Sequence, residues 1–195
     1  MTMLTRTRKI GFAVALAGFV ADQALKLLVT GPLGLIADGQ QIVLTSFFNL
    51  TRTSNYGISL GLLTADTDAM RWLLVALTGA IALVVAAWIT RESKLGDVVP
   101  LGLILGGALG NIYDRAVLGH VVDYLDLHFG AWRPFLVFNL ADMLISVGVV
   151  IILARSLLIR EKPQLDTAGQ AFSSQLDSTG DSENATNHKT PATEI

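Results

Sequence analysis

Two aspartates stand where the surrounding apolar sequence should bring them to one depth in a membrane. Asp123 ends the run Gly119-His120-Val121-Val122-Asp123, and Asp142 lies in Phe138-Asn139-Leu140-Ala141-Asp142, inside an otherwise apolar helical stretch. A carboxylate in hydrocarbon costs several kcal/mol, about 2.5–3.5 on insertion scales. Two at the same level suggest acid–base chemistry. Either Lys26 neutralises Asp142, or a second carboxyl shares a proton with it. In the shared case like charge and desolvation push the two pKa values apart. One carboxylate then acts as general base on water and the other as general acid or hydrogen-bond donor, which suits amide hydrolysis without a metal or a covalent nucleophile.

Other polar residues gather near them. Asp22 and Lys26 are spaced i, i+4 on one helix face, as an internal ion pair or as contacts to a substrate. Asn111 either caps a helix end or hydrogen-bonds a carboxylate. Asp114-Arg115 follows at once, as surface electrostatics, a loop anchor or a bidentate contact to a lipid phosphate. Asn139, Asp142 and Ser146 fall on one helical stripe. Gly102, Gly106 and Gly110 recur every four residues and let another helix approach closely. A metal reading would use His120, Asp123, Asp126 and His128, but so loose a spacing arises easily in a polar loop, where Asp126 and His128 are expected to be solvated.

These residues must be positioned by membrane helices. The chain has 195 residues, 52% of them hydrophobic and 15% charged, against about 25% charged in a soluble domain. Mean hydropathy is +0.56. Cysteine is absent, which excludes disulfides, thiol nucleophiles and thiolate metal sites. A net charge of −2 gives no reason to expect a nucleic-acid partner. Spans are expected over residues 10–29, 71–90, 97–113 and 135–158. Arg6, Arg8 and Lys9 before the first span imitate a secretory signal peptide, but Asp22 and Lys26 interrupt the run. Basic residues cluster before span one, between spans two and three, and after span four, which places both termini in the cytoplasm. Every strongly polar intramembrane residue then lies near the outer leaflet. The external segment 39–63 reads as short strands around a polar turn at Thr51–Asn55. Asp66 and Asp68 can cap span two, Asp123 lies in the external loop before span four, and residues 163–195 read as a disordered cytoplasmic tail.

Four blocks together resemble the bacterial lipoprotein signal peptidases, or signal peptidase II. They are Asp22-Gln23-Ala24-Leu25-Lys26; Asn49 through Gly61 with Asn55-Tyr56-Gly57; Gly106 through Arg115 running into Gly119 through Tyr124; and Phe138 through Asp142. The likeness covers about residues 10–160. It implies a mainly α, integral membrane fold of four transmembrane helices, with a small extracytoplasmic β-cradle and a short helix lying along the membrane. It implies a membrane aspartic endopeptidase, without cofactor or metal, whose catalytic dyad matches Asp123 and Asp142. Residues matching Asp22, Lys26, Asn55, Gly107, Asn111, Arg115 and Asn139 surround the dyad or engage substrate. The partners would be membrane lipids and prolipoproteins bearing a diacylglyceryl cysteine, cut just before that cysteine at the outer face of the inner membrane by a monomeric enzyme. Leu25, Leu60 and Met143 depart from the family's usual residues and bear on groove shape. The rival readings are a proton or ion relay and a non-catalytic assembly subunit.

Overall fold

The computed structural model describes residues 5–57 and 68–158. The tail expected at 163–195, and Leu60 and Asp66, lie outside the described residues. Among the described residues four helices are present: α1 (Arg6–Thr30), α2 (Asp68–Arg91), α3 (Leu95–Val117) and α4 (Leu140–Leu158). Each is long and apolar enough to cross a bilayer, as the sequence leads one to expect. α3 continues to Val117 rather than ending at Tyr113, so Asp114 and Arg115 belong to its last turns. α4 starts at Leu140 rather than Phe135. Among the described residues there is no further helix of the surface-lying kind.

α3 is the hub and packs against the other three helices. Half of its most apolar stretch is buried inside the protein (50%), against 11% for α4. The outer helices turn large apolar side chains outward, among them Trp72, Leu83 and Trp88 on α2 and Val150, Leu153 and Leu157 on α4. So wide an apolar surface belongs in lipid.

Lipid offers no hydrophobic drive between helices, so close packing on small residues must hold them. A Cβ at Gly102 would meet the Gly11 carbonyl of α1, one at Gly106 the Ala15 carbonyl, and one at Gly107 the Ala141 carbonyl of α4. We expect Gly107→Ala to lower stability by about 1–3 kcal/mol through overpacking. Gly79→Ala is the control: a Cβ there meets nothing, and helix propensity alone should raise stability by up to about 1 kcal/mol. Thermal unfolding in detergent compares the two.

The sheet is antiparallel in the order β1 (Gln41–Val43), β2 (Phe48–Asn55), β3 (Val121–Leu127). Two expectations are corrected. Thr51–Asn55, read as a turn, is the second half of β2, and Asp123, read as lying in a loop, is in the middle of β3. The polar side chains that imitate a turn are there because they pair with buried carboxylates, and the pairing is long-range, hence invisible to local pattern. A lone hairpin is marginal in water; the third strand supplies the support.

A β-bulge sets which side chains meet. Leu50 pairs with Leu125 and Thr53 with Asp123, so Thr51 and Arg52 together oppose Tyr124. In a regular strand Thr51 and Asn55 would share a face. The extra residue instead gives Thr51 to Asp126 and Asn55 to Asp123, with side-chain bonds of 2.9 and 3.0 Å.

The sheet is inserted between α1 and α2 and between α3 and α4, so it lies at one end of the bundle. Gly119, at φ +86, reverses the chain from α3 into β3, a conformation glycine adopts without steric cost. Leu125 N–H donates to the Phe138 carbonyl at 2.7 Å and Phe138 N–H donates back at 3.0 Å, which ties the entrance of α4 to β3. At the opposite end Arg155 pairs with Asp97 at 2.8 Å and Arg8 donates to the Glu92 carbonyl at 3.1 Å.

Candidate active site

Asn139 and Asp142 are the N-cap and third residue of α4 and form a capping box. Asp142 N–H donates to Asn139 Oδ1 at 2.9 Å, and Asn139 N–H donates to Asp142 Oδ2 at 3.3 Å. Asp142 lies within α4, as the sequence leads one to expect, and in its first turn, where amide dipoles aim their positive ends at its carboxylate. Ala141 N–H, another amide left open by the helix start, donates to Asp22 Oδ1 at 3.0 Å.

Two asparagines join the aspartates. Asn139 Nδ2 donates to Asp123 Oδ1 at 2.7 Å and to Asn111 Oδ1 at 3.1 Å; Asn111 Nδ2 donates to Asp142 Oδ1 at 2.8 Å. Asn55 Nδ2 donates to Asp123 Oδ2 at 3.0 Å, and its own carbonyl oxygen is fixed by Gly57 N–H at 3.0 Å. All four oxygens of the two carboxylates thus accept a bond within one network drawn from β2, α3, β3 and α4. Asp123 and Asn139 are buried. Asp142 is half-buried and opens to a groove of about 400 Å³ lined by Phe135, Phe138, Met143, Ser146 and Val147. Burial, and next the charge of Asp142, push the Asp123 carboxyl up to about 7 from its ordinary 3.8. Arg115 is half-buried and feels the charges of Asp142, Asp123 and Asp114, and its Nε has no hydrogen-bond partner among the described residues.

Lys26 does not reach Asp142. Its ammonium lies 2.7 Å from Asp22 and 2.8 Å from Asp114, all three buried. Asp114 also accepts from Gln23 at 3.0 Å and from Val122 N–H at 3.1 Å, so one ion cluster ties α1 to α3 and β3. Of the readings open for Asp114 the surface one is excluded by its burial; its place in the ion cluster, and that of Gln23, are what sequence reasoning missed. A signal existed: Asp114 continues the inward stripe Gly102, Gly106, Gly110.

The solvated reading of Asp126 and His128 is also corrected. Asp126 is fully buried and accepts from Thr51 at 2.9 Å and Arg133 at 3.0 Å. Those bonds, led by Arg133, hold its carboxyl below the usual range. His128 is half-buried and donates its backbone N–H to the Phe47 carbonyl. Strand alternation turns Asp123 and Asp126 to opposite faces. Among the described residues no three His, Asp or Glu side chains converge as metal ligands.

Comparison with known proteins is decisive here. The family described as "Signal peptidase (SPase) II" matches residues 14–158. A lipoprotein signal peptidase of Sphingopyxis alaskensis is 53% identical over 163 residues, 84% of this chain and 91% of that protein. One of Rhizorhabdus wittichii is 53% identical over 154 residues, covering 79% and 89%. The chain belongs to the signal peptidase II family. A solved bacterial membrane enzyme, determined in meso at 1.9 Å, superposes with a TM-score of 0.66 at 25% identity, over 79% of this chain and 95% of that one. Membership in signal peptidase II makes the chain a peptidase of lipoprotein processing, and its four membrane helices fit a protein of the bacterial inner membrane. The relay and assembly-subunit readings give way to this. Of the residues that depart from the usual signal peptidase II pattern, Leu25 is exposed on α1 and Met143 lines the groove beside Asp142.

Proposed function

We propose that this signal peptidase II is an aspartic endopeptidase that cuts prolipoproteins just before a diacylglyceryl cysteine, with Asp123 and Asp142 as its dyad. The observation that carries this reading is the Asn139–Asn111 bridge, which links one carboxylate to the other through bonds of 2.7, 3.1 and 2.8 Å. Asp123, raised to about 7, holds the proton. Asp142, on the groove side, is the general base that takes a proton from water as it attacks the scissile carbonyl. Asp123 gives its proton to the carbonyl oxygen as the tetrahedral intermediate forms; as the C–N bond breaks, the proton on Asp142 passes to the leaving amine and a hydroxyl of the intermediate returns a proton to Asp123. Asn55, Asn111 and Asn139 fix the carboxyl rotamers, Arg115 faces the developing charge, and Asp22 and Lys26 hold the frame. Gly107 lets α4 approach closely enough for Asn111 to reach Asp142.

The basic ends of the helices lie opposite the sheet, which supports cytoplasmic termini and a site at the outer leaflet. A scissile bond beside a lipid anchor stays near the headgroups, and a dyad held at that depth removes much of the entropic cost of encounter. The apolar groove beside Asp142 suits acyl chains of the substrate or of membrane lipids.

Incubation of the purified protein with a lipidated precursor peptide and its unlipidated twin tests the reading. Only the lipidated form should be cut, with full activity in a chelator. Equal processing of both removes the lipid requirement, and loss of activity in the chelator removes the metal-free mechanism.

The pH dependence follows from Asp123. Its proton is lost as pH rises through about 7, so kcat should fall above that pH. The same group makes stability decline between 3.8 and about 7, because the folded protein keeps a proton that the unfolded chain has released. Asp123→Asn should abolish that slope in denaturation followed against pH.

A further inference from the structure

A second cavity, of about 540 Å³, opens between α1 and α3 beneath the sheet and shares no lining residue with the groove at Asp142. Its mouth is apolar: Leu27, Ile36, Tyr113, Val117 and Leu118 are all exposed. Phe19 packs edge-on against Tyr113 at 5.9 Å and continues the apolar wall along α1. The floor is polar, formed by Arg52, His120, Gln23 and the Lys26–Asp114 pair.

The floor holds a cation without adequate compensation. Lys26 is balanced by two carboxylates, but Arg52 is not. Arg52 is 6% exposed, yet among the described residues its one ion pair is with Asp38 at 3.4 Å, a carboxylate whose side chain is 55% exposed. Its other side-chain bonds are to neutral groups, Ser54 Oγ at 3.2 Å and the His120 ring at 3.1 Å, and its Nε has no partner among the described residues. Burial first, and Arg52 next, push the His120 pKa down, so the ring stays neutral and accepts from the guanidinium. A buried cation wants an anion with free acceptor oxygens, and an apolar mouth between membrane helices admits one attached to hydrocarbon.

We propose that this cavity binds one anionic phospholipid, with its phosphate against Arg52 and an acyl chain along Phe19, Leu27 and Val117. The lipid would clamp β2 to the ends of α1 and α3. The Asp22–Lys26–Asp114 cluster also joins α1 to α3, so a bound lipid would brace the frame behind the dyad without entering the substrate groove. This inference does not depend on the catalytic roles assigned above.

Native mass spectrometry of the delipidated protein in dodecyl maltoside, titrated with dioleoylphosphatidylglycerol, tests it. One lipid should bind per chain well before the rest. Arg52→Gln should weaken that binding at least tenfold and remove the rise in melting temperature that the lipid confers. Val117→Trp fills the mouth and leaves Arg52 intact, and should give the same loss, so a folding defect in the first variant does not decide the matter. Unchanged binding in both variants overturns the site. Equal affinity for dioleoylphosphatidylcholine reduces it to ordinary annular contact, and equal competition by glycerol 3-phosphate makes it a site for soluble phosphate; either result rejects the proposal.

Discussion

Asp142→Asn should reduce cleavage of a lipidated precursor by about 10³-fold or more while the protein stays inserted and folded. Transfer of a proton by a positioned group is worth about 10²–10⁴-fold, and in the proposed dyad the same residue also shapes its partner, since the Asp142 charge helps raise Asp123. The backbone N–H at 142 still donates to Asn139 Oδ1 and an amide oxygen can still accept from Asn111; only the 3.3 Å return bond from Asn139 N–H is lost, so the helix start survives and the loss is mainly chemical. Asp123→Asn should be as damaging, because an amide cannot give up a proton to the carbonyl oxygen. The two defects should not add in the double variant, as is usual for residues that act as one unit. Turnover by either variant within tenfold of the wild type, at equal amounts of folded protein, would refute the dyad.

The largest effect on stability is expected at Lys26. Lys26→Met leaves Asp22 and Asp114 buried with no cation between them, and breaking a buried pair costs about 3–5 kcal/mol. Whole domains are stable by only about 5–15 kcal/mol, so the variant should lose a large share of its stability and melt at a clearly lower temperature in detergent. Pairing it with Asp114→Asn removes one stranded charge and should recover part of the loss. That recovery separates charge imbalance from lost packing. A melting temperature unaltered by Lys26→Met would mean that the cluster contributes nothing. Asp22 also accepts from Ala141 N–H at 3.0 Å, so survivors should show a displaced start of α4 and weaker catalysis together.

Much of the architecture was legible without coordinates, for a simple reason. Hydrocarbon tolerates few charges, so four long apolar runs report four helices, and a glycine every four residues in α3 reports close packing. The same rule singled out Asp22, Lys26, Asp123 and Asp142 as costly where they stand. The sheet was only half legible. β1 and the start of β2 carry β-branched and aromatic residues, whereas Thr51–Asn55 and Val121–Leu127 become strands through each other, across a separation no local window covers. Asp126 looked like a loop residue because its partners, Thr51 and Arg133, come from a bulged strand and a later segment.

The amino-acid order by itself determined which residues must lie in lipid, which helix can approach the others most closely, and which carboxylates demand compensation. Folding alone decided who compensates whom. It gave Lys26 to Asp22 and Asp114 rather than to Asp142. It made Asn139 a helix cap instead of a helical residue, and through a one-residue bulge it turned Asn55 toward Asp123. Hydrophobic patterning depends on the identity of near neighbours along the chain. Hydrogen-bond partners depend on direction and on distances of about 3 Å, and those are set only when helices, strands and turns have docked.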